Sequence, residues 1–275
     1  MSPMNNRLLV PRSTTRGLLD LVPGAAAAYS LRSLSNSYAD PVVTVRRSSD
    51  DDEAPFTASE VSDGTLAAFC GAGDGLVTKW WDQSGYERHG SQTTPTYQPK
   101  IVSSGSVVLE EGKPALQFDG IADFFTAPGL LTFSEEANKA VFFVGAAGNN
   151  ANRVRALFIG VGNSTRVSLF KENQTSYGWT GDAYANAVFA NAVVDSQHLH
   201  YASDYNGSQS LTIDAGIAST NALGGTNTGS DTAEIGRGGT GQWWDGSMQE
   251  MILYADNVNA VSDLIIGNIA WSYSV

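Results

Sequence analysis

Residues 140–147 read AVFFVGAA, residues 155–162 read RALFIGVG, and residues 247–256 read SMQEMILYAD. Each stretch is short and rich in Val, Ile, Phe or Tyr, and each is bounded by Gly, Asn, Asp or Ser, which favour turns. Similar segments recur at short intervals from residue 77 to about residue 257. This pattern predicts an all-β protein, an antiparallel β-sandwich whose two sheets share one core.

Helices are predicted only outside this region. Residues 24–37 contain a run of Ala, a strong helix former, followed by apolar residues. Residues 63–70 form a second candidate, with Asp63 as its N-cap and Gly71 ending it. Residues 260–273 read as a closing helix. The sandwich is therefore expected to carry short N-terminal and C-terminal helices.

Residues 1–23 differ from the rest because three arginines face a single acid, and prolines interrupt any regular element. We predict an extended basic arm over residues 1–23, preceding one jelly-roll domain over residues 24–275. Two interpretations of the arm remain open: a frayed terminus, or an anchor on an acidic or assembled partner. The residues that would anchor it are Arg7, Arg12 and Arg16.

Composition excludes several functions. The chain has 275 residues with 16 Lys and Arg against 28 Asp and Glu, a net charge of −12. Such a charge argues against binding a phosphate backbone, so no nucleic-acid partner is expected. A single cysteine, Cys70, excludes a disulfide framework and a thiolate zinc site. The apolar runs fall short of the roughly 20 residues that span a bilayer, so no membrane insertion is expected.

Two groups of segments carry a resemblance to a known family. Residues 46–51 (RRSSDD) and residues 82–85 (DQSG) resemble the catalytic domain of fungal-type α-L-arabinofuranosidase B proteins. Residues 112–120 (GKPALQFDG) and residues 235–254 (IGRGGTGQWWDGSMQEMILY) resemble concanavalin A-like and laminin-G-like jelly rolls. The resemblance covers roughly residues 25–275 and implies a concanavalin A-like jelly roll.

The arm adds a context to this resemblance. Residues 6–12 (NRLLVPR) resemble a short arm that precedes such domains in bacteriophage proteins. The resemblance implies a virion protein, either a tail fibre or adhesin or a capsid decoration, with a secreted extracellular module as the alternative. Its partners would be other virion proteins, copies of itself, and a host-surface glycan. An arm exchanged between copies implies a homo-oligomer, with a trimer as the arrangement typical of phage fibres.

Catalysis is the point at which the chain departs from that family. Glycoside hydrolysis needs two carboxylates facing one sugar. The family resemblance makes Glu172 the candidate for one of them. The other belongs in the turn before the closing hairpin, but residues 236–241 read GRGGTG and contain no carboxylate. We therefore predict a non-enzymatic binding protein, and a glycoside hydrolase of α-L-arabinofuranosidase type is the alternative.

Aromatic residues are the candidates for ligand contact. Adjacent residues on a strand face opposite sides, so one member of each Trp-Trp pair should point outward. Residues 176–192 combine Tyr, Trp, Gly and Asn, a composition typical of recognition loops. The predicted glycan-contacting residues are Tyr177, Trp179, Tyr184, Trp243 and Trp244.

The remaining motifs are assigned structural roles or left open. Arg46, Arg47 and Asp82 are expected to form a partly buried ion-pair cluster. Asp74 and Asp82 are the candidate ligands of a Ca²⁺ site, and no other cofactor is predicted. His198 and His200 alternate on a strand without a third ligand nearby, so we assign them to packing. The glycines of residues 236–241 fit a hairpin better than a dinucleotide site, because no helix start follows them.

Overall fold

The computed structural model describes residues 16–149, 151–161, 165–181, 184–192, 195–214, 216–222, 232–239 and 241–275. The first eleven strands, β1 to β11, are Ala27–Ser30, Val43–Arg47, Glu53–Phe56, Gly75–Trp80, Gly90–Ser91, Lys100–Ser103, Ser106–Val107, Leu109–Glu110, Lys113–Pro114, Leu116–Asp119 and Phe125–Thr126. The next ten, β12 to β21, are Lys139–Ala147, Val154–Val161, Thr165–Asn173, Ser176–Thr180, Val188–Asn191, Gln197–Tyr205, Ser208–Ile213, Ser219–Ala222, Thr232–Ile235 and Asp245–Tyr254.

The helices are short and lie outside the sandwich. The α-helices, α1 to α4, are Leu18–Leu21, Ala58–Ser62, Thr65–Cys70 and Ser262–Tyr273. The 3-10 segments are Pro95–Tyr97, Pro128–Glu135, Tyr184–Asn186 and Asn259–Val261. In the part of the chain described above, no helix is both long enough and apolar enough to cross a membrane.

The strands form two antiparallel layers. In the back layer β12 lies between β17 and β21, β18 and β19 continue beyond β17, and β1 and β10 share the far edge of β21. In the front layer the order is β16-β15-β14-β13-β20-β11-β5. Strands β4 and β6 join the layers at one edge. This arrangement confirms the predicted β-sandwich.

The back layer is buried on both faces. Val141 and Phe143 of β12 point into the core between the layers. Their neighbours Phe142 and Val144 pack in a second cluster, under α1 and α4, which we call the outer cluster. A strand covered on both faces reads as a continuous apolar run, which is why β12 has the sequence KAVFFVGAA.

The predicted helix over residues 24–37 is wrong. Its alanines form β1, which pairs with β21 so that Ala27 lies opposite Leu253. Ala28, with no exposed surface, packs in the outer cluster. Pairing with a buried strand outweighs the helix propensity of Ala, which is a weak preference in comparison.

The boundary of the arm also needs correction. Residues 18–21 form α1, and Leu18 is fully buried while Val22 is nearly so. The folded body therefore includes these residues, and only Arg16 of the three predicted anchors lies in the described chain, where it is exposed. Arg7 and Arg12 lie outside the described residues. The predicted helices at residues 63–70 and 260–273 are confirmed as α3 and α4, although Gly64, not Asp63, is the N-cap of α3.

Candidate functional site

Glu172 lies near the end of β14, where the strand leaves the front layer. Arg153, next to β13, donates from Nε and Nη2 to its two carboxylate oxygens at 2.6 and 2.7 Å. The pairing of β13 with β14 places the two residues together, because Val154 lies opposite Lys171. Both oxygens of Glu172 are therefore engaged by a guanidinium in a bidentate ion pair.

The turn that should carry the second carboxylate is occupied by arginine instead. Arg237 pairs with Glu234 through Nη2, and its guanidinium lies over the ring of Phe124. Arg155 approaches the same turn, bonding to Gln242 and donating from Nη1 to the hydroxyl of Ser168 at 2.7 Å. A Cβ on Gly238 would overlap the Arg155 side chain, so glycine is required there by close packing.

Three of the five predicted contact aromatics are buried, so this prediction of an exposed contact surface is wrong for them. Trp179 has no exposed surface, and its indole Nε1 donates to Oδ1 of Asp204 at 2.8 Å. Tyr177 is 1% exposed and meets the ring of His200 edge-on at 4.5 Å. Trp244 packs edge-on against Phe143 at 5.4 Å.

These positions are buried because they face the core between the layers. Inward and outward residues alternate along β15, and both of its aromatic residues take inward positions. Trp243 is half-buried, in contrast to the buried Trp244. The side chain of Tyr184 lies outside the described residues.

The predicted cluster of Arg46, Arg47 and Asp82 does not form. Arg46 donates from Nε to Gln98 and pairs through Nη1 with Asp51, an exposed residue. Arg47 pairs with Asp50 in the same acidic turn. The hairpin between β2 and β3 thus neutralises its own arginines locally.

Asp82 acts as a backbone anchor. Its carboxylate accepts from the backbone N–H groups of Ala28, Ser84 and Arg88 at 2.8–3.0 Å. An oxygen pair surrounded by N–H donors is poorly placed to bind Ca²⁺. Asp74, the other candidate ligand, instead pairs with Lys100 at 2.8 Å, and this contact holds the pKa of Asp74 below its ordinary value.

Among the described residues, no cluster of three or more Asp, Glu, His or Cys side chains could hold a metal ion. His200 is fully buried, and burial lowers its pKa to about 3, so the ring is neutral. His198 pairs with Asp214. The two rings lie 6.1 Å apart against Tyr177, an arrangement that fits the packing role predicted for them.

A surface groove of 430 Å³ lies where α4, α2, β9 and the segment after β1 meet, within the range of roughly 300–1,000 Å³ typical of small-ligand sites. Four of its residues are serines and two are cations. Its lining is Leu31, Arg32, Ser33, Ala58, Ser59, Ser62, Lys113, Pro114, Trp271, Ser272 and Tyr273. We call this the α4 groove.

Trp271 is the exposed aromatic of the α4 groove. Helix α4 buries Ile265, Ile269 and Tyr273, which recur every four residues on its inner face. Trp271 lies in the sequence between the buried residues Ile269 and Tyr273, on the outer side of the helix, and is 72% exposed. An exposed indole face is a surface on which a sugar ring stacks. Trp271 is not among the contact residues predicted from the sequence, although the spacing of the three buried residues indicates its outward position.

Arg32 is fixed in the α4 groove by a buried acid. Glu250 has no exposed side-chain surface, and its carboxylate accepts from Nε and Nη2 of Arg32 at 2.8 and 2.9 Å. It also accepts from the hydroxyls of Ser30 and Tyr273. Burial opposes the charge on Arg32, but the Glu250 carboxylate outweighs it and holds the pKa of the guanidinium above its usual range.

No protein-family model and no curated protein matches the chain. A solved GH54 α-L-arabinofuranosidase soaked with a cyclic sulfate inhibitor is similar with a TM-score of 0.64 and 15% identity, covering 89% of this chain and 63% of that one. An arabinofuranosidase complexed with arabinofuranosyl-α-1,2-xylobiose gives 0.63 and 16%, covering 89% and 62%. A Trypanosoma rangeli sialidase in complex with the inhibitor DANA gives 0.50 and 13%, covering 71% and 31%.

The chain thus spans slightly less than two thirds of the arabinofuranosidase chains to which it is similar. At such identities the similarity establishes a shared fold. It confirms the β-sandwich that the sequence predicted.

Proposed function

We propose that this protein is a non-enzymatic carbohydrate-binding protein and that the α4 groove is its ligand site. The observation that carries the proposal is the exposed indole of Trp271 beside Arg32, whose guanidinium is held by the buried Glu250. Aromatic stacking with a few fixed polar groups is a combination that suits a sugar ring. The fold supports the proposal at a coarser level, since its structural neighbours are glycoside hydrolases.

Hydroxyl groups along the groove strengthen this assignment. Ser33, Ser62 and Ser272 each donate to a backbone carbonyl, at 2.6, 3.3 and 2.9 Å respectively. Each oxygen therefore keeps lone pairs that accept from a ligand hydroxyl. Sugars present many hydroxyl donors, whereas an apolar ligand would displace water from these serines without offering a hydrogen bond in return.

The absence of catalysis is part of the same proposal. Both oxygens of Glu172 are engaged by Arg153, and residues 236–241 offer only arginine and neutral residues. A hydrolase would need two carboxylates separated by about 5–10 Å at one sugar-binding cleft. The alternative of an α-L-arabinofuranosidase is favoured by the arabinofuranosidase structures with a similar fold and by the candidate carboxylate Glu172.

We further propose a virion location, with an extracellular module as the alternative. The arm residues Arg7, Arg12 and Arg16 would pair with acidic groups on another virion protein or on a second copy of the chain. The acidic residues of the domain carry the charge complementary to these arginines, which supports a homo-oligomer and is compatible with a trimer. The groove would then face a host-surface glycan.

The test is a glycan array probed with the wild-type protein and with Trp271→Ala. We expect at least one oligosaccharide class to bind the wild type, and binding to fall at least tenfold in the variant because stacking on the indole is lost. Leu264→Ala is the matched control, because Leu264 is also exposed on α4 but does not line the groove. Glycan binding by Trp271→Ala equal to that of the wild type would contradict the proposed site.

The hydrolase alternative is tested with p-nitrophenyl α-L-arabinofuranoside and plant polysaccharides. We expect no release of p-nitrophenol or of reducing sugar. Turnover that Glu172→Gln abolishes would refute the non-enzymatic proposal and establish Glu172 as catalytic.

A further inference from the structure

We propose that the α4 groove selects acidic saccharides, with Arg32 and Lys113 binding the carboxylate of a sugar ring stacked on Trp271. The proposal rests on the carbohydrate-binding function above and adds the chemical class of the ligand. It commits the groove to one kind of occupant, an oligosaccharide that carries carboxylates.

Arg32 has more N–H donors than its bonds to the protein use. A guanidinium has five N–H donors. Nε donates to Glu250, and Nη2 donates to Glu250 and to Oδ1 of Asn268 at 2.9 Å. Nη1 takes part in none of these bonds, and the arginine lines the groove with about a quarter of its side chain exposed. Two N–H donors thus remain on a guanidinium whose orientation the protein has already fixed.

This fixation lowers the cost of binding. Arg32 is held by a bidentate pair to a buried carboxylate and lies 5.8 Å from the centroid of the Tyr273 ring. A ligand that meets Nη1 does not have to order a flexible side chain, which normally opposes binding. Charge-assisted hydrogen bonds to a carboxylate are also the strong class of such bonds.

The groove is lined by cations although the protein as a whole is acidic. The protein carries a net charge of −12, yet the residues lining the groove include two cations and no Asp or Glu. Glu250 compensates Arg32, so Lys113 supplies the net positive charge. Glu110 is the cross-strand neighbour of Lys113 in the β8–β9 hairpin, but within the described chain no ion pair joins them. Lys113 is therefore available to an anion from solution.

The polar groups of the groove fall into hydrogen-bond donors and hydrogen-bond acceptors. Arg32 and Lys113 are donors, whereas three of the four groove serines offer acceptor lone pairs because their protons are already donated to backbone carbonyls. A sugar acid matches this division, because its carboxylate accepts and its hydroxyls donate. A neutral sugar matches only the serines and the indole.

The experiment compares binding of oligogalacturonates and oligomannuronates with binding of their methyl esters, in which an uncharged ester replaces each carboxylate. Calorimetric titration at low salt should show at least one acid binding about tenfold more tightly than its ester, the size expected for hydrogen bonds to a charged group. Added salt of about 0.5 M should reduce this preference, since exposed charges are screened.

Lys113→Gln should reduce the acid-to-ester ratio while binding of the ester stays unchanged. Lys79→Gln is the matched control, because Lys79 lies over the ring of Trp81, outside the groove. Arg32→Lys provides a second variant, which keeps the charge beside Glu250 but removes the free guanidinium nitrogen, and it should also reduce the ratio.

The outcomes separate the two proposals. Trp271-dependent binding of acid and ester with equal affinity would overturn the acidic specificity and leave the carbohydrate-binding function standing. An acid preference that persists in both Lys113→Gln and Arg32→Lys would also overturn it. Failure of every acid in the panel to bind, with neutral glycans bound on the array, has the same consequence. An array with no bound glycan at all would reject the proposed function itself.

Discussion

Glu250 shows how a buried charge is made tolerable at the level of single residues. Its carboxylate accepts from Arg32 and from the hydroxyls of Ser30 and Tyr273, so its oxygens are saturated. Burial and the neighbouring Glu250 charge raise the pKa of Tyr273 above its ordinary value, which keeps the hydroxyl a donor. The same network fixes the groove arginine, so stability and ligand binding depend on one acid.

Replacing this acid should therefore be costly. We expect Glu250→Ala to lower the free energy of unfolding by about 3–5 kcal/mol, because the loss of one partner leaves a buried charge uncompensated. Urea denaturation followed by tryptophan fluorescence measures the change. Glu135→Gln, at an exposed position, is the control and should stay within about 0.5 kcal/mol of wild type. A loss below about 1 kcal/mol for Glu250→Ala would contradict the network.

A second residue-scale prediction concerns pH. Burial, with repulsion from Asp119 as a smaller cause, raises the pKa of Asp123 to about 7. Because the unfolded value is near 4, Asp123 favours the folded state fully below pH 4, and this contribution is lost as the pH rises through 7. We expect Asp123→Asn to be more stable relative to wild type at pH 7.5 than at pH 4.5.

Urea midpoints of the two proteins at both pH values provide the measurement. Asp123 also accepts the backbone N–H of Asp119 through Oδ2, a bond that the amide oxygen of Asn preserves. A stability difference between the proteins that does not change with pH would show that Asp123 titrates at an ordinary value.

At the scale of secondary-structure elements, the sequence predicts what depends on local pattern. The apolar run of β12, the alternating segments of the front layer and the helix α4 follow from periodicity and turn residues. The alanines of β1 do not follow, because their conformation is set by pairing with β21, far away in the chain. Local propensity cannot reveal a partner about two hundred residues distant.

The same limit applies to the candidate site. Aromatic composition suggested residues 176–192, but composition does not say which face of a strand is buried. Trp179 and Tyr177 occupy the inner face of β15. The groove, by contrast, unites α4, α2, β9 and the segment after β1, which no local motif links. Only the outward position of Trp271 was within reach of the sequence, through the helical spacing of α4.

Helix α4 should tolerate change on one face only. Ile269 is fully buried in the outer cluster, and Ile269→Ala should cost about 2–5 kcal/mol through lost packing and the cavity left behind. Leu264→Ala on the outer face should change stability by less than about 0.5 kcal/mol. Both values come from urea denaturation, and equal losses for the two variants would contradict the described orientation of the helix.

At the scale of the whole molecule, an acidic sandwich carries a groove lined by two cations, and residues 1–16 contain three arginines. Asn268 of α4 links Arg16 to the groove. Its Nδ2 donates to the backbone carbonyl of Arg16, and its Oδ1 accepts from Arg32. Arm and groove are therefore neighbours in the fold at residue 16.

Deletion of residues 1–15 should leave the domain folded, because the buried residues from Leu18 onward remain. We expect an unchanged far-UV circular dichroism spectrum together with a lower mass by light scattering and loss of incorporation into the assembly. Deletion of residues 1–20 is the informative contrast, since it also removes Leu18 and should destabilise the domain. Unchanged mass and incorporation after deletion of residues 1–15 would refute the anchor.

The most direct test of the central claim is a crystal structure of the protein soaked with the oligosaccharide that binds most tightly on the array. We expect an intact sugar in the α4 groove, with one ring stacked on Trp271 and polar groups within hydrogen-bonding distance of Arg32. A sugar bound instead beside Glu172 and residues 236–241, or a cleaved product there, would contradict it.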